Sequence, residues 1–176
     1  AREPASPYGL SKLAAEDLVG VYARERSLPA TVLRYFTVYG PRQRPEMALS
    51  RFIFAATHGR PVEIFGDGQQ VRDLTYVSDV VNATVMALTG RPGGIYNVGG
   101  GARVTVNEML EAVRRVTGGT VPVTYGPAAR GDVASTWADA TRAARDLGYL
   151  PAMTLDEGVA DQAAWAAVER PIADLV

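Results

Sequence analysis

Apolar positions change their spacing along the chain and predict alternating helices and strands. The first helix is predicted over residues 8–25, where apolar side chains recur at helical spacing at Leu10, Ala14, Leu18 and Val21. Ser6 is a good N-cap for this helix, and Pro7 suits its first position. The β-rich run TVLRYF at residues 31–36 predicts a buried parallel strand. A helix that leads into such a strand is half of a βαβ unit.

The middle of the chain continues this alternation, with glycine and proline marking the turns. The elements predicted there are a loop at residues 37–47, a helix at 48–58, strands at 62–65 and 71–77, a helix capped by Ser78 that ends near Gly90, and a strand at 95–98. The helix after Ser78 is expected to present one apolar face, formed by Val81, Val85 and Leu88. The loop follows the end of a strand, which is a common place for functional residues.

Two capping boxes predict the starts of later helices. Thr105-x-x-Glu108 and Thr154-x-x-Glu157 each place a carboxylate three residues after a threonine. The run GGG at residues 99–101 does not follow the G-x-G-x-x-G spacing, so it predicts a tight connection and no dinucleotide fingerprint. The remaining elements predicted are a helix end at Gly118, a strand at residues 121–125 and a helix from near Asp139. The pattern is typical of an α/β fold.

Composition limits the classes of function. With 47% hydrophobic and 21% charged residues, the 176-residue chain is expected to form one compact unit with a full core. A net charge of −1 gives no general attraction to nucleic acid or to an anionic membrane. The absence of cysteine excludes disulfides and thiolate metal sites, and the single histidine, His58, is expected at a helix end on the surface. No apolar run is long enough to span a membrane and no export leader is recognised, so we expect a cytoplasmic protein.

The strongest candidate for chemistry is the pair Tyr8 and Lys12. They lie four residues apart in the predicted first helix and therefore share one face. An ammonium group beside a phenol favours the phenolate, which is the form that can act as general base toward a sugar hydroxyl. On spacing alone, a tyrosine and a lysine four apart are more often simple surface neighbours.

The residues around this pair narrow the interpretation. The sequence SPYGLSK at residues 6–12, followed by LAAE, closely resembles the active-site helix of the extended short-chain dehydrogenase/reductases that act on nucleotide sugars. Four further blocks resemble the same family in the same order, at residues 33–41, 65–79, 96–100 and 131–147. The resemblance covers nearly the whole chain and implies that residues 1–176 are the C-terminal half of a Rossmann-type enzyme: part of the parallel sheet plus a small α/β substrate-binding lobe. It also implies that the N-terminal NAD-binding half, with its phosphate loop and a Ser/Thr beside the tyrosine, lies outside this chain.

The resemblance assigns roles to individual residues. It implies that Tyr8 is the proton acceptor and that Lys12 holds both the phenolate and the nicotinamide ribose of NAD. The residues that it implies as NAD contacts are Tyr8, Lys12, Tyr35, Phe36 and Val38. The residues that it implies as contacts to the nucleotide part of the substrate are Met47, Ala48, Phe65, Arg72, Arg130 and Asp132, with the two arginines on the diphosphate and Asp132 on the ribose. For Met47 and Phe65, plain core packing stays open as the alternative.

The function implied is NAD-dependent epimerisation at C4 of a UDP-sugar. Thr37 and Arg44 resemble the residues that face the C6 carboxylate in UDP-glucuronate 4-epimerases, whereas Gln43 stands where glycine is expected in many of them. UDP-glucuronate is therefore the favoured substrate, with UDP-glucose as the alternative; for Arg44, a loop-stabilising surface position stays open as the alternative. A 4,6-dehydratase, a decarboxylase and a catalytically inactive nucleotide-sugar-binding fragment also stay open.

The expected partners are few. The resemblance implies a homodimer formed through the first helix, where Leu18, Val19 and Tyr22 are the residues of interest, although burial within one subunit explains them equally well. The missing N-terminal half of the same enzyme is the other expected partner. Neither nucleic acid nor membrane is expected to bind.

Overall fold

A computed structural model describes residues 3–4, 6–90, 93–129 and 133–168 of the chain. Its elements in chain order are α1 (Pro7–Glu25), β1 (Val32–Tyr35), β2 (Thr37–Tyr39), α2 (Ala48–His58), β3 (Val62–Phe65), β4 (Val71–Tyr76), α3 (Val77–Thr89), β5 (Ile95–Val98), β6 (Ala102–Thr105), α4 (Val106–Thr117), β7 (Val123–Gly126), α5 (Thr141–Leu147) and α6 (Leu155–Val168). Helices and mostly parallel strands alternate, so the predicted α/β class is confirmed.

The described strands form three small sheets with the orders β1-β5, β2-β4-β6 and β3-β7. The pairs β1-β5, β2-β4 and β3-β7 are parallel, and β4-β6 is antiparallel. Edge strand β6 was not predicted. It follows the glycine run directly, where a connection leading to a helix was expected, and its four residues are too few to show an alternating pattern.

The strand predicted at residues 31–36 is confirmed as β1, whereas the loop predicted from residue 37 was wrong at its start, because residues 37–39 form β2. The backbone N–H of Phe36 donates to the carbonyl of Val98 at 3.0 Å, which ends the pairing of β1 with β5. From Thr37 the chain pairs instead with β4, with Thr37 opposite Leu74. Both segments are apolar and extended, so the hydrophobic pattern does not reveal that the chain moves from one sheet to another.

Two groups of buried side chains form the core. The larger group lies where α2, α4 and α6 pack over β2, β3 and β4, and it includes Tyr39, Leu49, Phe52, Ile53, Met109 and Val159. The smaller lies between α3, α5 and β5, and it includes Val80, Ala83, Tyr96, Val98 and Tyr149. Strand β2 contributes Tyr39 to the first group and packs Val38 against the second. This strand is therefore held from both sides.

The apolar face predicted for α3 was wrong. Val81, Val85 and Leu88 are exposed, and the helix buries Asp79, Val80, Ala83 and Ala87 instead. The reason is the carboxylate of Asp79, which accepts hydrogen bonds from the backbone N–H groups of Ala152 and Met153 at 3.2 and 3.3 Å. The helix also begins at Val77, with Tyr76 at the N-cap position, so Ser78 is not the cap.

Helix α1 likewise buries no residue against the described part of the chain. Leu10, Leu18 and Val21, predicted as its apolar face, are all exposed. Its start was predicted correctly, because the hydroxyl of Ser6 accepts from the N–H of Gly9 at 3.1 Å and Pro7 is the first helical residue. Local capping chemistry therefore placed this helix correctly, whereas its apolar pattern did not identify a packing face within the described residues.

Both predicted capping boxes are confirmed. Thr105 and Glu108 exchange hydrogen bonds at the start of α4, and Thr154 and Glu157 do so at the start of α6. His58 is the last residue of α2 and is exposed, as predicted. Across the described residues, none of the helices has the length and apolarity that crossing a membrane requires.

Candidate functional site

A cleft of about 640 Å³ opens at the junction of β1 and β2. The residues singled out from the sequence that line it are Tyr8, Tyr35, Phe36, Thr37, Val38, Arg44 and Met47. They come from the start of α1, from the strand junction and from the loop after β2. The structure thus brings the candidate general base, the candidate NAD contacts and the candidate carboxylate contacts to one place.

Tyr8 and Lys12 lie together on α1 as their spacing predicts. The Lys12 Nζ atom is 5.4 Å from the centroid of the Tyr8 ring. Tyr8 is 71% exposed, so its hydroxyl is accessible from the cleft. An adjoining cleft of about 680 Å³ contains both residues together with Tyr35. Tyr8 therefore lies where the two clefts meet, and Lys12 lines the second of them.

The two other tyrosines that line the first cleft are less suited to act as the general base, which must first lose its own proton. Burial raises the pKa of Tyr39 well above its ordinary value, with nearby Asp79 adding to the effect, and its hydroxyl donates to the carbonyl of Thr154 at 3.3 Å. The hydroxyl of Tyr35 shares a hydrogen bond with that of Thr84 at 2.9 Å. Tyr8 is the most exposed of the three, which favours it as the general base.

The loop after β2 places Arg44 at the cleft. Gly40 has φ +131, and a Cβ there would lie 2.8 Å from Cγ1 of Val77, so this close approach requires glycine. Arg42 also has a positive φ, +66. The side chain of Arg44 is 77% exposed, and its Nε lies 3.4 Å from a carboxylate oxygen of Glu46. Exposure leaves the guanidinium able to turn toward an anion in the cleft.

A smaller pocket of about 240 Å³ adjoins the first cleft and shares Thr37, Gln43 and Met47 with it. The candidate nucleotide contacts that line this pocket are Met47, Ala48, Phe65 and Arg72. Phe65 is 45% exposed, so the alternative of plain core packing is wrong for this residue. The Nη1 of Arg72 donates to the carbonyls of Val71 and Val133 at 2.8 and 2.9 Å. Arg130 and Asp132 lie outside the described residues.

Three polar residues at the site were not singled out from the sequence for a role. Thr136 lines the first cleft, Ser50 lies in the first turn of α2, and Gln162 on α6 bonds to the loop after β2. A signal for Gln162 exists, because it lies three residues after the buried Val159 on a helix whose apolar face faces the core. A glutamine on such a face needs polar partners inside the protein. Elsewhere, no group of histidine, aspartate and glutamate that could hold a metal ion occurs within the described ranges.

Comparison with known proteins identifies the class. A model of the NAD dependent epimerase/dehydratase family matches residues 2–99, more than half of the chain. The chain belongs to this family. It is 40% identical over 165 residues to an uncharacterised UDP-glucose epimerase of Bacillus subtilis, covering 92% of this chain and 52% of that protein. It is 37% identical over 164 residues to a UDP-glucuronate 4-epimerase of Thermodesulfobacterium geofontis, covering 93% of this chain and 51% of that protein. The chain spans about half the length of these curated relatives.

A solved structure agrees. The crystal structure of UDP-glucuronic acid 4-epimerase from Bacillus cereus, in complex with UDP-glucuronic acid and NAD, superposes with a TM-score of 0.88 at 36% identity, over 99% of this chain and 55% of that one. The match confirms the predicted fold class, the C-terminal part of a Rossmann-type epimerase of the extended short-chain dehydrogenase/reductase family. The roles of the individual site residues stay predictions.

Proposed function

We propose that the polypeptide to which this chain belongs is an NAD-dependent UDP-sugar 4-epimerase that converts UDP-glucuronate to UDP-galacturonate. The observation that supports this most is the lining of the first cleft, where Tyr8, Thr37 and Arg44 occur together. A phenol, a hydroxyl and a guanidinium at one cleft match the three tasks of the reaction: moving a proton, hydrogen bonding to the sugar and pairing with a carboxylate.

The residues present fit NAD. An open cleft of about 680 Å³ lies beside Tyr8 and Lys12, and the exposed ring of Tyr35 lines it. Lys12 and Tyr8 would hold the nicotinamide ribose, and Tyr35, Phe36 and Val38 would line the neighbouring wall at the strand junction. NAD, when bound, accepts the hydride from C4 of the sugar and later returns it.

Tyr8 carries the proton in this proposal. Its phenolate oxygen takes the proton of the 4-hydroxyl as the sugar is oxidised. It gives a proton back after the 4-keto sugar has rotated to present its opposite face. Lys12 supplies positive charge close to the ring, at 5.4 Å from its centroid, which stabilises the phenolate.

Thr37 and Arg44 would select the uronate. A carboxylate held next to the nicotinamide without a partner would cost about 3–5 kcal/mol, by analogy with broken buried ion pairs. A guanidinium pairs with a carboxylate through two parallel hydrogen bonds and so fixes its plane. Fixing this plane would also hinder loss of CO2 from the 4-keto intermediate. The adjoining pocket with Met47, Phe65 and Arg72 would then take the nucleotide, with Arg130 and Asp132 on its diphosphate and ribose.

We further propose that residues 1–176 are the C-terminal half of the enzyme and are inactive alone. The chain spans about half of its curated relatives, and the phosphate of NAD normally binds at a glycine-rich loop and helix N-terminus that this sequence lacks. Turnover by the isolated chain with added NAD would contradict this part of the proposal. A homodimer through the exposed residues Leu18, Val19 and Tyr22 of α1 is proposed as its assembly.

The experiment that tests the proposal uses the full-length polypeptide with UDP-glucuronate and NAD, and follows the nucleotide products by NMR. UDP-galacturonate is the expected product. Release of CO2 with a UDP-pentose would identify a decarboxylase instead, and a 4-keto-6-deoxy sugar from a neutral hexose substrate would identify a 4,6-dehydratase. Binding of the nucleotide sugar without any product would support the inactive binding protein.

A further inference from the structure

We infer that Gln162, on the last described helix, is a positioning residue that determines substrate selectivity by restraining the loop that carries Arg44. The inference rests on the proposed function of that loop as the carboxylate-binding segment. Gln162 lies on α6, 119 residues from Gln43 in sequence, and only 2% of its surface is exposed. Because this amide is buried and does not line the first cleft itself, it acts through its hydrogen bonds to residues that do.

The side-chain amide of Gln162 makes three hydrogen bonds to the region of the loop. Its Oε1 accepts from the backbone N–H of Gly40 at 3.0 Å. Its Nε2 donates to Oε1 of Gln43 and to Oγ of Ser50, each at 3.0 Å. One side chain on α6 thus joins the first residue of the loop, its middle and the first turn of α2.

Gln43 extends this network to the strand. Its Nε2 donates to the carbonyl of Val38 at 3.0 Å, while its own backbone N–H donates to the carbonyl of Gly40 at 3.1 Å. The hydroxyl of Ser50 lies 3.0 Å from Oε1 and 3.3 Å from the carbonyl of Gln43. Gln43 is therefore held by its backbone and its side chain, and Arg44 follows it directly in the chain.

The loop needs such a restraint because its backbone is unusual. Gly40 and Arg42 both have positive φ, and a non-glycine residue in this region is held there only when its surroundings impose it. The side chain of Arg44 itself is exposed and pairs only loosely with Glu46. Its placement at the cleft consequently depends on the backbone of residues 40–47, and that backbone depends on Gln162.

Loss of the Gln162 hydrogen bonds should weaken recognition of the uronate carboxylate and leave binding of a neutral sugar nearly unchanged. Replacement of Gln162 by methionine keeps a side chain of similar length and volume but removes all three hydrogen bonds. A displaced Arg44 would then contact the uronate poorly, while contacts to a neutral hexose would change little. A misplacement of about 1 Å can cost on the order of 100-fold, so we expect the ratio of kcat/KM for UDP-glucuronate to that for UDP-glucose to fall about 10- to 100-fold. Most of the change should be in KM for UDP-glucuronate.

The test measures kcat/KM for UDP-glucuronate and for UDP-glucose in the full-length polypeptide, and compares their ratio among wild type, Gln162→Met, Gln43→Met and the double variant. All three variants should show a similar fall, and the double variant should be no worse than Gln162→Met because both substitutions break one network. Val159→Ala, on the same helix and fully buried, is the control. It should lower stability without changing the ratio. If Gln162→Met does not fold, Ser50→Ala and Gln43→Met give the answer in its place.

A second readout separates this inference from the proposed function. Hydrogen exchange of the peptide covering residues 38–47 should be faster in Gln162→Met than in Val159→Ala at equal global stability. A wild type without uronate preference would contradict the proposed substrate, and the exchange result would still decide whether Gln162 restrains the loop. An unchanged selectivity ratio in every folded variant, or unchanged exchange in Gln162→Met, would overturn the inference.

Discussion

Arg34 on β1 binds Glu16 on α1 through two parallel hydrogen bonds, from Nε to Oε2 at 2.7 Å and from Nη2 to Oε1 at 2.6 Å. The side chain of Glu16 is only 9% exposed, and its hydrogen bonds to Arg34 raise the pKa of the guanidinium further above its ordinary value. Glu16 lies one helical turn after Lys12 and two after Tyr8, on the same side of α1. The pair therefore links the proposed catalytic helix to the strand that leads into the cleft.

Arg34→Met should loosen α1 while leaving the core intact. Apart from the nearly buried Glu16, the helix packs little against the described chain, so the bidentate pair is one of its main contacts. Loss of such a partly exposed pair should cost about 1 kcal/mol. Hydrogen exchange of peptides within residues 7–25 should become faster, and kcat should fall because Tyr8 is less well placed.

The control for this change is Arg115→Met, since Arg115 forms a bidentate pair of the same type with Asp156 between α4 and α6. It should leave exchange in α1 unchanged. Equal exchange of α1 in both variants would mean that the Arg34–Glu16 pair does not hold the helix.

Tyr8→Phe in the full-length polypeptide should reduce epimerisation by at least about 100-fold, since proton transfer by a positioned group commonly contributes that much. Binding of the UDP-sugar should stay close to wild type, because only one oxygen is removed. Kinetics and calorimetric titration measure the two effects. Tyr22→Phe, an exposed tyrosine on the same helix, should change neither. Comparable turnover by Tyr8→Phe would remove the assigned role.

Much of the fold could be predicted because its signals are local. Ser6, the two capping boxes and the turn residues each form hydrogen bonds within three or four positions, so the sequence contains both partners. The change of sheet at Phe36 could not be predicted, because it depends on the pairing of Thr37 with Leu74 and of Tyr35 with Val98, far away in sequence.

In the candidate site, too, local features could be predicted and long-range contacts could not. Tyr8 and Lys12 were singled out because they share a helix face within a segment that resembles a known active-site helix, and the residues from Tyr35 to Arg44 that line the cleft were singled out through the same family resemblance. The contacts of Gln162 were missed because its hydrogen bond to Gly40 spans 122 residues of sequence. The exposed face of α3 was also misjudged, since burial of Asp79 depends on the distant backbone of residues 152 and 153.

Stability should fall in acid as the capping box of α4 is lost. Hydrogen bonds from the backbone and hydroxyl of Thr105 hold the pKa of Glu108 below its ordinary value of 4.5. A carboxylate with a lowered folded pKa stabilises the fold above pH 4.5, and this contribution disappears as the pH falls through the folded value. Glu108→Gln should therefore be less stable than wild type at neutral pH by about 0.3–1 kcal/mol. Urea unfolding at several pH values should show this difference vanish in acid, and a constant difference would contradict the assignment.

The proposed dimer predicts a change of mass. Leu18, Val19 and Tyr22 line a shallow apolar groove on α1 together with Leu28. Leu18→Glu would bury a charge at the proposed interface, so light scattering of the full-length polypeptide should shift from the mass of a dimer to that of a monomer. Leu88→Glu, at an exposed apolar position on α3, should remain dimeric. A wild type that is monomeric would remove this proposal.

The central claim is that Arg44 recognises a uronate in the cleft that contains Tyr8. The most direct test is kcat/KM of the full-length polypeptide for UDP-glucuronate and for UDP-glucose, in wild type, Arg44→Ala and Arg44→Lys. Wild type should prefer UDP-glucuronate, and Arg44→Ala should lose at least about 10-fold with this substrate and little with UDP-glucose, as expected for loss of a charged hydrogen bond. Arg44→Lys should fall between them, because lysine keeps the charge without the bidentate geometry. Equal losses with both substrates, or a wild type that prefers UDP-glucose, would contradict the claim.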